Sequence, residues 1–311
     1  MQFIAGRTHF KLSGKSAVAI GKFDGIHRGH KRLLEEILAC KAQGLLAVVF
    51  TFEPSAASFF SGKQIKELTT REEKRRRFAA MGVDVLVEFP LNTVTAAMPP
   101  EQFIKDILAE SLNTRFIAAG SDLSFGAYGA GNAALLNSLS GRFGYRVRII
   151  EKISEDGREI SSTYLREEVE KGSMEKVARL LGEPYRITGE VVHGRKLGRT
   201  IGMPTVNQIP EKDKLLPPNG VYYSQVRFGG RLLNGITNIG CKPTVSRERV
   251  IGAETFLYDF EEDIYGREVE VSLLHYKRPE MRFDGVEQLK MQMQEDIAEG
   301  RSFFLEKMRK N

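Results

Sequence analysis

Through the first half of the chain, short apolar runs alternate with longer stretches of helical period. The runs fall at 16–20, 45–52, 83–89, 115–120 and 145–150, and helix-period segments at about 28–43, 70–82 and 100–112 lie between them. Short, mainly apolar runs of this length suit the strands of a largely buried sheet, and the segments between them suit helices that cover its faces. This βαβα alternation predicts a doubly wound α/β domain with a parallel sheet, whose ligand sites lie at the carboxyl ends of the strands. Thr70 with Glu73 reads as a capping box, and Pro99-Pro100 opens the periodic set Phe103, Ile104, Ile107 and Leu108.

A short helical stretch at 174–182 is followed by a change of pattern at Glu183-Pro184. From 185 to about 277 the chain is a series of short β-rich pieces separated by Gly, Pro and Asn turns, which predicts a small antiparallel barrel or sandwich. An amphipathic helix at about 285–308 closes the chain. The expected organisation is therefore two domains, 1–184 and 185–311.

Composition narrows the picture without choosing a function. At 311 residues, 41% hydrophobic and 28% charged, the chain has the make-up of a soluble globular protein of two domains, which excludes a single small binding module. The net charge of +6 favours anionic partners in general. Residues 1–184 carry 26 basic and 22 acidic side chains and the rest 20 and 18, so neither part is a basic arm of the kind nucleic-acid binders carry. The two cysteines, Cys40 and Cys241, belong to no CxxC or Cys/His cluster, and this argues against a disulfide framework or structural zinc. No signal-peptide core or membrane-spanning run is found, so the expected setting is the cytoplasm.

Two of the five histidines fall in Gly21-Lys22-Phe23-Asp24-Gly25-Ile26-His27-Arg28-Gly29-His30, directly after the first strand and opening the first helix. A helix N-terminus offers free N–H groups to phosphate, and glycines at 21, 25 and 29 let the backbone approach it. His27 and His30, three apart, can donate to an α-phosphate and its leaving pyrophosphate, the electrostatics of phosphoryl or nucleotidyl transfer. Taken alone, the pair also reads as two half-exposed helix residues after a turn.

The longer string resembles the GxFDGxHxGH signature of the nucleotidyltransferase module in bacterial bifunctional riboflavin kinase/FAD synthetases, a Rossmann-like domain. Ile160-Ser161-Ser162-Thr163-Tyr164-Leu165-Arg166 is similar to the family's ISSTxxR segment, which implies triphosphate binding through Ser161, Ser162, Thr163 and Arg166. Hydroxyls at a helix start and an arginine one turn on suit that task. Gly21, Phe23, Asp24, Gly25 and Gly29 are implied ATP contacts, with His27, His30 and Arg166 catalytic. Gly120 to Gly126 with Gly131 resembles the family's loop after the fourth strand and implies FMN or nucleotide contacts at Asp122 and Phe125. Leu123 stands for the family's Phe, and Lys22 for its Asn.

Downstream, Gly194-Arg195-Lys196-Leu197-Gly198-Arg199-Thr200-Ile201-Gly202-Met203-Pro204-Thr205-Val206-Asn207 contains no Walker A pattern. Thr205 and Asn207, two apart on an extended segment, share a strand face, and such neutral oxygens can hold Mg²⁺ without cancelling its charge. A glycine-rich turn between barrel strands is the plainer reading. The segment resembles the GRxxGxPTxN signature of the family's riboflavin kinase module, a small antiparallel β-barrel with a terminal helix. This resemblance implies ATP contacts at Gly194, Lys196, Gly198, Pro204, Thr205 and Asn207, with Thr205 and Asn207 at Mg²⁺. It also implies Glu254 as the base on the ribityl hydroxyl and Arg278 as a flavin contact.

The implied activities are ATP-dependent phosphorylation of riboflavin to FMN by the C-terminal domain and adenylylation of FMN to FAD by the N-terminal one. Partners would be riboflavin, FMN, FAD and ATP, with Mg²⁺ as cofactor, no nucleic acid and no membrane; a homo-oligomer stays open. One rival is a nucleotidyltransferase for another phosphorylated acceptor, against which the kinase signature speaks. Another is a nucleic-acid binder, but the chain has no Trp and no aromatic run among basic residues. The basic run Lys74-Arg75-Arg76-Arg77 reads as a solvated helix face.

Overall fold

The computed structural model describes residues 1–194, 202–243 and 249–310; Lys196 and Gly198, named above as ATP contacts, lie outside the described residues. The chain divides into two compact units, Met1–Ser162 and Thr163–Asn311.

The first unit is built on β1 (Gln2–Ala5), β2 (Ser16–Ile20), β3 (Leu46–Glu53), β4 (Val85–Pro90) and β5 (Thr114–Gly120). A two-residue pair, β6 (Ser124–Phe125) with β7 (Gly131–Asn132), follows, then β8 (Arg146–Ile150) and a hairpin of β9 (Ser154–Glu155) and β10 (Arg158–Glu159). The main sheet has the order β1-β4-β3-β2-β5-β8, all parallel. Central β2 is buried along its whole length, which is why its sequence shows no polar alternation. Val18, Ile20, Val48 and Phe50 face one core, and Ala17, Ala19, Ala47 and Val49 the other. Helix α1 (Arg28–Ala39) covers the second core with Leu33, Leu34 and Ile37. Strand β1 has no counterpart among the expected elements, because only Ile4 of it turns inward.

The remaining helices of this unit are α2 (Ala56–Ser61), α3 (Arg71–Ala80), α4 (Thr93–Ala96), α5 (Pro100–Gln102) and α6 (Ala133–Phe143). The capping box of Thr70 and Glu73 opens α3 as expected. The expected helix over 100–112 begins at Pro100 but continues as a wider π-type coil over Phe103–Ser111. The basic run on α3 corrects the solvated reading. Lys74 is buried against Glu67 at 2.8 Å, and Arg71 and Arg75 converge on the buried Glu88. Burial opposes ionisation of Glu88, but hydrogen bonds from Arg75 and Arg71 outweigh it and hold the carboxyl below the usual range.

The second unit opens with α7 (Ser162–Glu170, whose first residue closes the first unit) and α8 (Met174–Leu181), followed by β11 (Tyr185–Glu190), β12 (Thr205–Gln208) and β13 (Gly220–Phe228). Then come β14 (Arg231–Pro243), β15 (Arg249–Leu257), β16 (Glu268–Arg278) and a C-terminal helix, Val286–Lys310. The antiparallel sheet has the order β11-β16-β13-β14-β15-β12. It curls into a half-closed barrel whose edges touch at a bridge between Val192 and Asn207. Inward side chains include Tyr185, Tyr222, Val226, Val271 and Leu273, with a hydroxyl chain of Ser224, Thr237 and Thr255 at 2.7 and 2.8 Å. The outer face, through Val221, Tyr223, Ile236 and Tyr258, packs on Phe304 of the C-terminal helix. The break in packing falls before the break in composition at Pro184, because α8 lays its apolar residues on β11 and β16. Among the described residues no helix is long and apolar enough to cross a membrane.

Candidate functional site

In the first unit, the loop between β2 and α1 holds an unusual backbone. Phe23, Gly25 and Ile26 have φ of 51°, 86° and 47°, a region that costs non-glycine residues energy and persists only where surroundings enforce it. The Phe23 and Ile26 side chains are fully buried, which supplies one restraint. Asp24 supplies another, its carboxylate accepting the Leu68 N–H at 2.8 Å. Arg77 donates to the Gly25 carbonyl at 3.4 Å, and the Ser162 hydroxyl donates to the Asp24 carbonyl at 2.9 Å. Ser162, from the 160–166 segment singled out by sequence, therefore meets the 21–30 segment at Asp24.

His27 caps α1. Its Nδ1 accepts the His30 N–H at 3.3 Å, which puts the His27 proton on Nε2. The two imidazoles stack at 3.7 Å between centroids and 19° between planes. Burial pushes His27 down to about 4, against the opposing pull of the Asp122 charge. Burial, followed by the neighbouring His27, drives His30 well below the ordinary histidine range. Both rings are neutral at pH 7, and each carries one N–H donor. The His30 Nδ1 is buried without a hydrogen-bond partner, although polar atoms at that depth are ordinarily paired.

Several side chains read from sequence as ligand contacts turn out to have other neighbours. The Phe23 ring backs His30 at 5.1 Å and meets Phe78 edge-on at 5.5 Å, so it supports a histidine from within the core. Gly21 lies against that ring and Gly29 against the His27 ring. Phe125 is 3% exposed and packs on Phe103 at 5.4 Å, with Gly131 pressed to its face; the ring has no surface left for a flavin. Asp122 does stand at the site, exposed in the turn after β5 and close enough to His27 to act on its charge. Ser161 and Ser162 are half-buried at the start of α7; Thr163, exposed, and Arg166, half-buried, belong to the second unit.

Sequence reasoning missed Lys152, which bonds Glu159 at 2.8 Å and Asp122 at 3.4 Å. A single lysine in a polar stretch leaves no periodic trace. A groove of about 600 Å³ runs along α1 and the end of β8, lined by Arg28, Lys31, Arg32 and Arg148 together with Glu35, Glu36, Glu151, Ile149, Ile150 and Ile153.

In the second unit, β12 sets Asn207 directly opposite Glu254 of β15, and Thr205 opposite Phe256. The Thr205 hydroxyl donates to the Glu254 carboxylate at 2.5 Å. Asn207 is buried, and a Cβ on Gly194 would come within 2.5–2.7 Å of its amide, so any larger residue there must displace that amide. The neighbouring Gln208 points inward and donates to the carbonyls of Gly189 and Val269 at 3.0 and 3.1 Å, which locks β12 to the opposite barrel edge. Thr205 and Pro204 also line a cleft of about 90 Å³ closed by Phe260 and Tyr265. Hydroxyl, amide and carboxylate oxygens form the hard donor set that Mg²⁺ takes. Among the described residues no three His, Cys, Asp or Glu side chains gather as a metal cluster.

Arg278 is placed differently from the flavin contact read in the sequence. Its guanidinium donates to both oxygens of the buried Asp296 at 2.6–3.2 Å and to the Pro279 carbonyl at 3.0 Å, clamping β16 to the C-terminal helix.

Comparison with known proteins adds independent evidence. Residues 10–164 match the FAD synthetase family, and residues 181–304 the riboflavin kinase family. The chain is 36% identical over 291 residues to a bifunctional riboflavin kinase/FMN adenylyltransferase of Listeria monocytogenes, with 92% of each chain covered. It is 37% identical over 290 residues to the protein of that name from Escherichia coli K12, again with 92% of each covered. A crystal structure named as a macrolide-efflux protein from Streptococcus pneumoniae matches with a TM-score of 0.83 and 29% identity, covering 96% of this chain and 98% of that one.

Proposed function

The chain belongs to the bifunctional riboflavin kinase/FMN adenylyltransferase family, and on that premise we propose how its residues divide the work. The C-terminal part phosphorylates riboflavin with ATP to give FMN, and the N-terminal part adenylylates FMN to FAD with release of pyrophosphate. The catalytic modules are residues 1–184 and 185–311, a division supported by family matches that end at 164 and resume at 181. Two free cysteines, Cys40 and Cys241, fit a cytoplasmic setting.

The observation that carries the adenylyltransfer reading is the stacked, neutral pair at the start of α1. Negative charge grows on the phosphates as AMP passes from pyrophosphate to the FMN phosphate. Donors fixed beforehand stabilise that charge without reorganising, and the His27 Nε2–H and the single N–H of the neutral His30 ring are such groups. Asp24 and Phe23 act behind them, holding the loop and the ring. The groove beside α1 has the size to take a nucleoside, and Arg28, Lys31 and Arg32 on its α1 side supply positive charge for phosphate beside the acidic Glu35, Glu36 and Glu151. Lys152, whose ammonium is held above its ordinary range first by the Glu159 hydrogen bond, adds positive charge beside Asp122. Arg166 keeps the role that the resemblance implies.

At the kinase site, Thr205 and Asn207 would hold Mg²⁺, which when bound neutralises charge on the ATP phosphates. Glu254 takes the proton of the attacking hydroxyl, and the Thr205 hydroxyl fixes its rotamer. Incubation with riboflavin and MgATP, followed by chromatography, tests both halves. FMN and then FAD should form. Absence of FMN overturns the kinase assignment, and FMN that accumulates without FAD overturns the adenylyltransferase assignment.

A further inference from the structure

Beyond the residues already assigned, we infer that Asn238 and Glu280 form the acceptor side of the kinase site, with the Asn238 carbonyl oxygen receiving a hydroxyl of the substrate's polyol chain. The inference rests on the kinase reading of Thr205, Asn207 and Glu254. Its basis is strand register. Asn207 on β12 lies opposite Glu254 on β15, and Glu254 lies opposite Asn238 on β14. Directly paired residues point to the same side of a sheet, so three polar side chains form one row across adjacent strands, with the carboxylate in the middle.

That row gives Glu254 two flanks. The Thr205 and Asn207 flank is the one that would hold the metal and phosphates, and Thr205 already bonds the carboxylate from there. Phosphoryl transfer requires attacking and leaving oxygens roughly in line, so the hydroxyl reaches Glu254 from the opposite flank. Asn238 occupies it.

The chemistry of Asn238 is set by Glu280. The Asn238 Nδ2 donates to Glu280 Oε1 at 3.5 Å, and the Asn219 Nδ2 donates to Oε2 at 3.2 Å. An ionised carboxylate only accepts hydrogen bonds, so Glu280 binds the amide nitrogens and leaves the carbonyl oxygen of Asn238 for a donor. Gly240, two residues on along β14, leaves the space Glu280 fills; a Cβ there would collide with its carboxylate. A fixed acceptor beside a base that activates one hydroxyl matches a second hydroxyl further along the same chain. Riboflavin carries such a chain, and its ring system does not.

The test is steady-state FMN formation by the full chain. Asn238→Ala should raise KM for riboflavin roughly tenfold, the worth of one good hydrogen bond, and leave KM for MgATP and the FMN-to-FAD rate unchanged. Lumiflavin, which has the ring without the polyol, should inhibit competitively with the same Ki in variant and wild type. Glu280→Gln, which can donate as well as accept and so frees the Asn238 amide to flip, should raise KM about threefold. An unchanged KM for riboflavin, or a lumiflavin Ki that rises in parallel, overturns the inference. If the wild-type chain forms no FMN, the kinase reading falls first and this assignment with it.

Discussion

The two candidate sites reach similar ends by different physical means. The first is built from backbone: a loop with three positive φ angles within four residues, pinned by Asp24, Ser162 and Arg77, sets two neutral imidazoles at a helix start. The second is built from side chains in register, with Asn207, Glu254 and Asn238 presented by adjacent antiparallel strands. A parallel sheet gathers its chemistry at strand ends because every strand finishes on the same edge, whereas an antiparallel sheet can use rows across its face. The first site therefore depends on a few enforced dihedrals, and the second on pairing that many strands share.

The sharpest break between the two comes from His27→Ala with His30→Ala. Conversion of FMN to FAD should fall ~100-fold or more, and riboflavin phosphorylation should persist. Loss of both activities in a variant with unchanged circular dichroism would contradict separate sites. In the other direction, Asn207→Ala should lower FMN formation by roughly tenfold to a hundredfold while supplied FMN is still adenylylated, as product chromatography can follow.

Gly194→Ala is a milder probe of the second site. The added methyl must displace the Asn207 amide, so KM for MgATP in the kinase reaction should rise about fivefold at nearly constant Tm. An unchanged KM would show that Asn207 has room to yield.

The smallest effect is on stability. His27 falls from an ordinary 6.5 to about 4 on folding. Between those values the unfolded chain takes up a proton that the folded chain refuses, so stability declines as pH drops through that window and is unaffected above it. Tm at pH 5 should lie below Tm at pH 7 by more in wild type than in His27→Asn, which keeps a capping acceptor but does not titrate. Equal slopes in the two proteins would remove burial of His27 as the cause.

Much of the fold could be read directly from the sequence. Strands β2 to β5 were visible because burial leaves predominantly apolar runs, the half-exposed edge strand β8 through Val147, Ile149 and Ile150, and the barrel strands because turns punctuate them at short intervals. Strand β1 escaped because one buried residue, Ile4, makes no pattern. The motif residues were also visible, but not what each of them touches. Phe23, Asp24 and Phe125 sit inside ligand-binding signatures, and the structure uses them to hold backbone or fill core. Arg278 serves Asp296, a partner eighteen residues away that no local spacing marks.

The sequence by itself determined two domains of different class and the residue types on which their chemistry turns, because period, turn chemistry and local motifs are short-range properties of the chain. Tertiary structure alone decided that both histidines are neutral, since that depends on their burial, which at His27 outweighs the opposing charge of the distant Asp122. It also decided that residues 207, 254 and 238 stand in one row, since strand register is fixed by pairing between segments far apart in the chain.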